Sequence, residues 1–91
     1  MDKLPKIKEL IRKDELKEAI AMLDEYILLH PDCNDEPYFL LGNAYRKASN
    51  WQKALNNYLE AISRNPESPA VEAKNMLMDI LEFYNKDMYN Q

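Results

Sequence analysis

Shifted by 35 residues, this chain lies on itself. Leu16 falls on Trp51, Ala19 on Ala54, Ile20 on Leu55, Leu23 on Tyr58, Ile27 on Ile62 and Pro31 on Pro66. Each copy reads as an amphipathic helix, with apolar residues three and four apart, stopped by a proline. A helical unit of this length cannot bury its apolar stripe alone, so copies must stack on one another. Ala19 and Ala54 are small enough to let two helices approach closely. His30 and Asn65 precede the prolines, where a helix is expected to end.

A second helix lies upstream of each copy. In the second repeat the pattern predicts it from Pro37 to about Ala48, with Asp35 as N-cap and proline tolerated in the first turn. Its apolar face is Tyr38, Leu41, Gly42 and Tyr45. Gly42 is the single glycine of the chain. A mid-helix glycine costs about 1 kcal/mol relative to alanine. Its place beside Leu41 therefore predicts a tight contact with the facing helix, where a Cβ would clash. Ser49 and Asn50 break this helix and cap the next, which starts near Trp51.

Tyr38, Leu41-Gly42, Tyr45, Ala54, Tyr58, Ala61 and Pro66 resemble the tetratricopeptide repeat signature, whose period is about 34 residues. The likeness is closest over residues 35–68, and within them over Leu41-Gly42-Asn43-Ala44-Tyr45. In the first repeat Ala19, Leu23 and Pro31 fit. Ile7 stands where the family usually has glycine or alanine, Tyr26 where a small residue is usual, and Lys6 where a leucine is expected. The resemblance implies an all-α fold of about five helices. These form a right-handed superhelical stack of two helix-turn-helix repeats (about 1–34 and 35–68) and a capping helix (about 69–89). A terminal repeat is expected to be atypical, and the first helix is expected to be short or packed at an altered angle.

Ser68-Pro69 starts the capping helix, cap then proline. Ala70, Ala73, Leu77, Ile80, Leu81 and Tyr84 share one face; Glu72, Asn75, Asp79, Glu82 and Lys86 share the opposite one. Met76 and Phe83 flank the apolar stripe on one side, and Val71, Met78 and Tyr89 on the other. That arc is wider than one helix contact needs. Met and aromatic side chains suit adaptable interfaces, so Met76, Met78 and Phe83 form a candidate self-association surface, for a monomer or weak homodimer.

Composition narrows the class. With 46% apolar and 31% charged residues, the 91-residue chain reads as one ordinary globular domain. Cys33 is the one cysteine, so no internal disulfide forms, which favours a reducing compartment; the expected location is cytoplasmic. No apolar run has the length of a signal peptide core or a bilayer span. The net charge of −4 is uneven. Residues 1–13 carry Lys3, Lys6, Lys8, Arg12 and Lys13 against Asp2 and Glu9, whereas residues 14–37 set Lys17 against eight acids. An acidic chain whose most basic segment is its first helix is a poor nucleic-acid binder. Neither nucleic acid nor membrane is expected as a partner.

Catalytic chemistry is not expected. One histidine and one cysteine cannot make a zinc site of His and Cys ligands. His30 and Cys33 are close in sequence, but one sits at a helix end and the other in a loop, with no third group to orient them. One glycine cannot build a phosphate loop. The chain is read as a non-enzyme without metal or cofactor.

In the family, the first helix of each repeat lines a concave groove that holds extended peptides. That resemblance implies a groove formed by Lys8 and Arg12 of the first repeat, Phe39, Asn43, Arg46 and Lys47 of the second, and Lys74 of the capping helix. Asn43 matches a position where members use asparagine to bond a peptide backbone. The family's carboxylate clamp is not reproduced: Phe39 stands where that clamp has a lysine, and Met78 where it needs an arginine. A basic groove with one aromatic favours an acidic peptide or partner protein. The expected function is thus a protein-interaction adapter or scaffold. The alternative is a structural module that dimerises through the C-terminal helix.

Overall fold

The computed structural model describes residues 3–89, with side-chain surroundings through Phe83. Five helices follow one another: α1 (Leu4–Arg12), α2 (Leu16–Leu29), α3 (Glu36–Lys47), α4 (Trp51–Arg64) and α5 (Ala70–Tyr89). There is no strand among the described residues. Each helix packs on the next in sequence, and α1 also touches α3. α1 has nine residues and α3 twelve, so the first helix is the short one, as its weak match predicts.

The two repeats turn identically. Asp14 and Ser49, 35 apart, hold positive φ values of 63° and 62°. After α1, the Asp14 N–H donates to Ile11 O at 3.0 Å and the Glu15 N–H to Leu10 O at 2.9 Å. After α3, Ser49 donates to Arg46 O at 3.0 Å and Asn50 to Tyr45 O at 2.8 Å. This pairing is a Schellman cap, which satisfies helix-end carbonyls and usually uses glycine at the left-handed position. Here Asp14 and Ser49 take that conformation at a steric cost. Beyond the second turn Asn50 caps α4, its Oδ1 accepting from the Lys53 N–H at 3.3 Å.

The loops behind the prolines differ from expectation at one residue. α2 and α4 end at Leu29 and Arg64, and Ser68 caps α5 by accepting from the Ala70 N–H at 3.1 Å. Asp35, however, makes no side-chain capping bond to α3. Its carboxylate is buried and accepts instead from Asn65 Nδ2 at 3.3 Å, while Asn34 Oδ1 takes the Glu36 N–H at 3.1 Å. Asp35 thus joins the two inter-helix loops, and its neighbour does the capping.

α3 is the hub of the core. Leu40, Leu41 and Ala44 are buried against α1 and α2, in one cluster with Ile7, Leu10, Ile11, Ala19 and Leu23. Tyr38, Phe39 and Tyr45 pack against this cluster and against a second one of Ala54, Tyr58, Ala61, Ala70 and Leu77. Leu40 and Ala44 are thus core residues that the Tyr38–Leu41–Gly42–Tyr45 face omits. The predicted close contact at Gly42 is with Tyr58: a Cβ at Gly42 would overlap ring carbons Cε1 and Cδ1 and lie 3.0 Å from Cγ. In the first repeat the same two positions hold Ile7 and Leu23, both fully buried. Two aliphatic residues of equal size replace a glycine facing a tyrosine, so the volume is filled in both repeats.

α5 sits on the second repeat as α3 sits on the first. Pro37, Leu40 and Ala44 are buried on α3; Ala70 and Leu77 are buried and Ala73 half-buried on α5, each 33 residues later. The residues at the two helix starts, Asp35 and Ser68, keep the same offset. Leu81 continues the row, half-buried. Ile80, expected in the core stripe, is instead 37% exposed; by the offset of 33 it corresponds to exposed Lys47, not to a core position of α3. The side chains of Tyr84, Lys86 and Tyr89 lie outside the described residues.

Candidate peptide-binding face

Five of the side chains expected to line a groove, Lys8, Arg12, Asn43, Arg46 and Lys47, make bonds within the protein. Tyr58, fully buried on α4, passes Gly42 and ends between two α3 side chains. Its hydroxyl donates to Asn43 Oδ1 at 2.6 Å and accepts from Arg46 Nε at 3.2 Å. Phe39 is half-buried, its ring centroid 6.2 Å from that of Tyr58. Burial pushes the Tyr58 phenol above its usual value, and the adjacent Arg46 pulls the other way. The neutral hydroxyl therefore persists at physiological pH and fixes both polar side chains.

The cations between α1 and α3 have partners of their own. Lys8 Nζ lies 3.3 Å from Glu36. Arg12 pairs with Glu9 one turn back, and that pairing lowers the Glu9 carboxyl below its usual range. Lys47 Nζ donates to Ile11 O at 2.8 Å and lies 3.0 Å from Asp14. It thereby adds a second donor to the Ile11 carbonyl, which already accepts from the Asp14 N–H, and pins the end of α1 to α3. Lys74 is half-buried on α5. By the offset of 33 it corresponds to Leu41, not to the Phe39–Asn43–Arg46 row. Met76 and Phe83 are 64% and 65% exposed, and Met78 45%.

A second set of bonds, invisible in the sequence pattern, closes the far edge. Arg64 Nη1 donates to Cys33 O at 2.7 Å and Pro31 O at 3.1 Å, and its guanidinium lies 4.5 Å from the centre of the Tyr38 ring. The loop of the first repeat is thus clamped by the last residue of α4. An arginine before Asn65-Pro66 gives no periodic signal for that reach.

His30 and Cys33 do not form a nucleophile pair. The His30 ring packs on Tyr26 with centroids 4.5 Å apart. The Cys33 thiol is pushed up by burial, with Arg64 acting in the opposite sense. An activated thiol needs the reverse shift. Both residues line an open depression of about 610 Å³ with Leu29 and Asp32. The described residues hold no group of three or more His, Cys, Asp or Glu side chains placed to bind a metal. No helix among them is long and apolar enough to cross a membrane.

Antiparallel helix pairs repeating every 35 residues, each with the same Schellman turn and stacked through a shared central helix, define a helical-repeat scaffold. The chain belongs to the tetratricopeptide repeat family. The family's model, described as tetratricopeptide repeat, matches residues 36–68. A Bacteroides fragilis protein with a solution NMR structure is 57% identical, at a TM-score of 0.88. The match covers 100% of this chain and 92% of that one. No match was found among the curated proteins. The family is one of protein–protein interaction repeats, and its all-α fold is typically non-enzymatic.

Proposed function

We propose that this protein is a non-catalytic adapter, acting in the cytoplasm, whose α1–α3 face binds an acidic peptide segment of a partner protein. The observation that carries the reading is the hydroxyl of Tyr58 between Asn43 and Arg46. With Oδ1 engaged, the Asn43 amide turns its Nδ2 donors away from Tyr58. With Nε engaged, Arg46 keeps its two outer nitrogens for a ligand. Donors fixed before binding lose little side-chain entropy when a peptide carbonyl or carboxylate arrives. Lys8, Arg12 and Lys47 add positive potential around them, reduced by Glu36, Glu9 and Asp14. Two repeats offer a short face, so affinity is modest and partner choice rests on charge.

The test is an NMR titration of labelled protein with pools of acidic and of basic heptapeptides. The reading requires amide shifts at Phe39, Asn43 and Arg46 with the acidic pool. A response to the basic pool alone, or to neither, refutes it. A second reading, self-assembly through α5, draws on the exposure of Met76, Met78 and Phe83. It requires concentration-dependent broadening at those residues without peptide.

A further inference from the structure

We propose that the loop edge of the first repeat is a second docking site, whose occupant is a basic segment of a partner protein carrying one large apolar side chain. The second repeat shows what the fold itself requires at this edge. At the shift of 35, Leu28 and Leu29 stand against Ser63 and Arg64, and Met22 against Asn57. The second repeat forms the same fourteen-residue helix with polar residues there, so stacking does not need the leucines. Arg64, at the position of Leu29, turns onto the loop at Pro31 and Cys33. Leu29 instead stays 63% exposed, beside Leu28 at 80%. Single exposed leucines are ordinary, but these two adjoin a concave surface. Leu29 lines the open depression with His30 and Cys33, and a smaller one beside it with Met22 and Tyr26. Met22, Tyr26 and Leu29 are spaced by four and three residues, so they form one side of α2. The Tyr26 and His30 rings, 4.5 Å apart, stand as a wall between the two depressions, which both residues line.

Charge selects the occupant. Glu25 lies one turn before Leu28 and Leu29 on α2, and Asp32 follows in the loop, each lining a depression. Neither carboxylate forms an ion pair among the described residues. Lys3 is the one cation among the described residues that line this edge. A large apolar side chain flanked by lysine or arginine therefore meets apolar surface edged by unpaired carboxylates. A second copy of this chain does not satisfy both demands. A two-fold contact through Leu28 and Leu29 brings Asp24, Glu25 and Asp32 of the two copies together, and like charges repel. The basic helix α1 supplies cations, but its Leu4, Ile7, Leu10 and Ile11 are buried, so it offers no large apolar anchor. The edge lies outside the Asn43–Arg46 row and has the opposite charge, so the inference does not rest on that row binding a peptide.

Three heptapeptide pools test this by NMR titration: lysine-rich with a central Leu or Phe, the same with a central Ser, and acidic with a central Leu or Phe. The first is expected to shift the amides of Tyr26, Leu29 and His30, to slow alkylation of Cys33, and to bind about tenfold tighter than the second. In the double variant Leu28→Ser, Leu29→Ser that gain is lost. Both leucines are exposed, so the variant keeps its fold, and circular dichroism checks this. Equal binding of the first two pools, binding of the acidic pool at this edge as tight as the first, or no shift at these residues overturns the inference. Shifts at Leu28 and Leu29 that grow with protein concentration alone assign the edge to a second copy and overturn it as well. The α1–α3 face is read separately, at Asn43 and Arg46, so its failure and the failure of this inference are distinct results.

Discussion

The ring of Tyr58 occupies the space that a side chain at residue 42 would need, so Gly42 sets how closely α4 approaches α3. The same approach carries the Tyr58 hydroxyl to Asn43 and Arg46. One glycine thus links core packing to the polarity of the candidate face.

Gly42→Ala gains helix propensity but forces the Tyr58 ring out of its place. We expect a net loss of about 2 kcal/mol, the usual scale of overpacking in a well-filled core. The double variant Gly42→Ile, Tyr58→Leu installs the pair of the first repeat, Ile7 and Leu23. It should lose less stability than its two single variants combined. A double-mutant cycle by urea denaturation measures that coupling.

Much of this was legible in the sequence. The 35-residue shift places α2 and α4 with their prolines, and a glycine beside Leu41 points to a close helix contact because nothing else justifies its propensity cost. Contacts that depend on the reach of one side chain were not legible. Lys47 to Ile11, Arg64 to Cys33 and Asn65 to Asp35 span about thirty residues or more, and neither periodicity nor capping rules encode them. The candidate face shows the same limit. Its residues were named from position in the repeat, but that Tyr58 would hold Asn43 and Arg46 depends on the depth of α4, which packing decides. Ile80 misled because spacing alone cannot tell which edge of a wide apolar arc meets a neighbour.

Ser49 is exposed and holds a φ of 62°, a conformation glycine adopts without strain. Ser49→Gly should therefore stabilise the protein by about 1 kcal/mol. Thermal denaturation of the variant reads this directly, and a lowered midpoint would contradict the strain argument.

Lys47→Ala removes a bond to the end of α1 and an ion pair with Asp14. The side chain is one-third exposed, which screens the charge, so the expected cost is about 1 kcal/mol. The effect should be local: amide exchange in Leu4–Arg12 accelerates more than exchange in α4.

Burial raises the Cys33 thiol, so less of it is thiolate at a given pH than for a free cysteine. Its alkylation rate should reach half-maximum at a higher pH than that of a cysteine peptide. Arg64 favours the thiolate, and Arg64→Ala should move the midpoint higher still.

The Tyr58 phenol is also raised on folding. A raised folded-state value means the native state favours the neutral form. That contribution is complete below the unfolded-state value and is lost as pH climbs through the folded-state value, above the usual tyrosine range of about 10. Tyr58→Phe should therefore flatten the alkaline loss of stability.

The most direct test of the central claim compares wild type and Tyr58→Phe in the acidic-peptide titration. The phenyl ring keeps the packing beside Gly42, while the hydroxyl that fixes Asn43 and Arg46 is gone. The variant is expected to stay folded and to bind the acidic pool about tenfold more weakly, with smaller shifts at Asn43 and Arg46. Equal affinity in the two proteins would show that the Tyr58 hydroxyl does not prepare this face for a ligand.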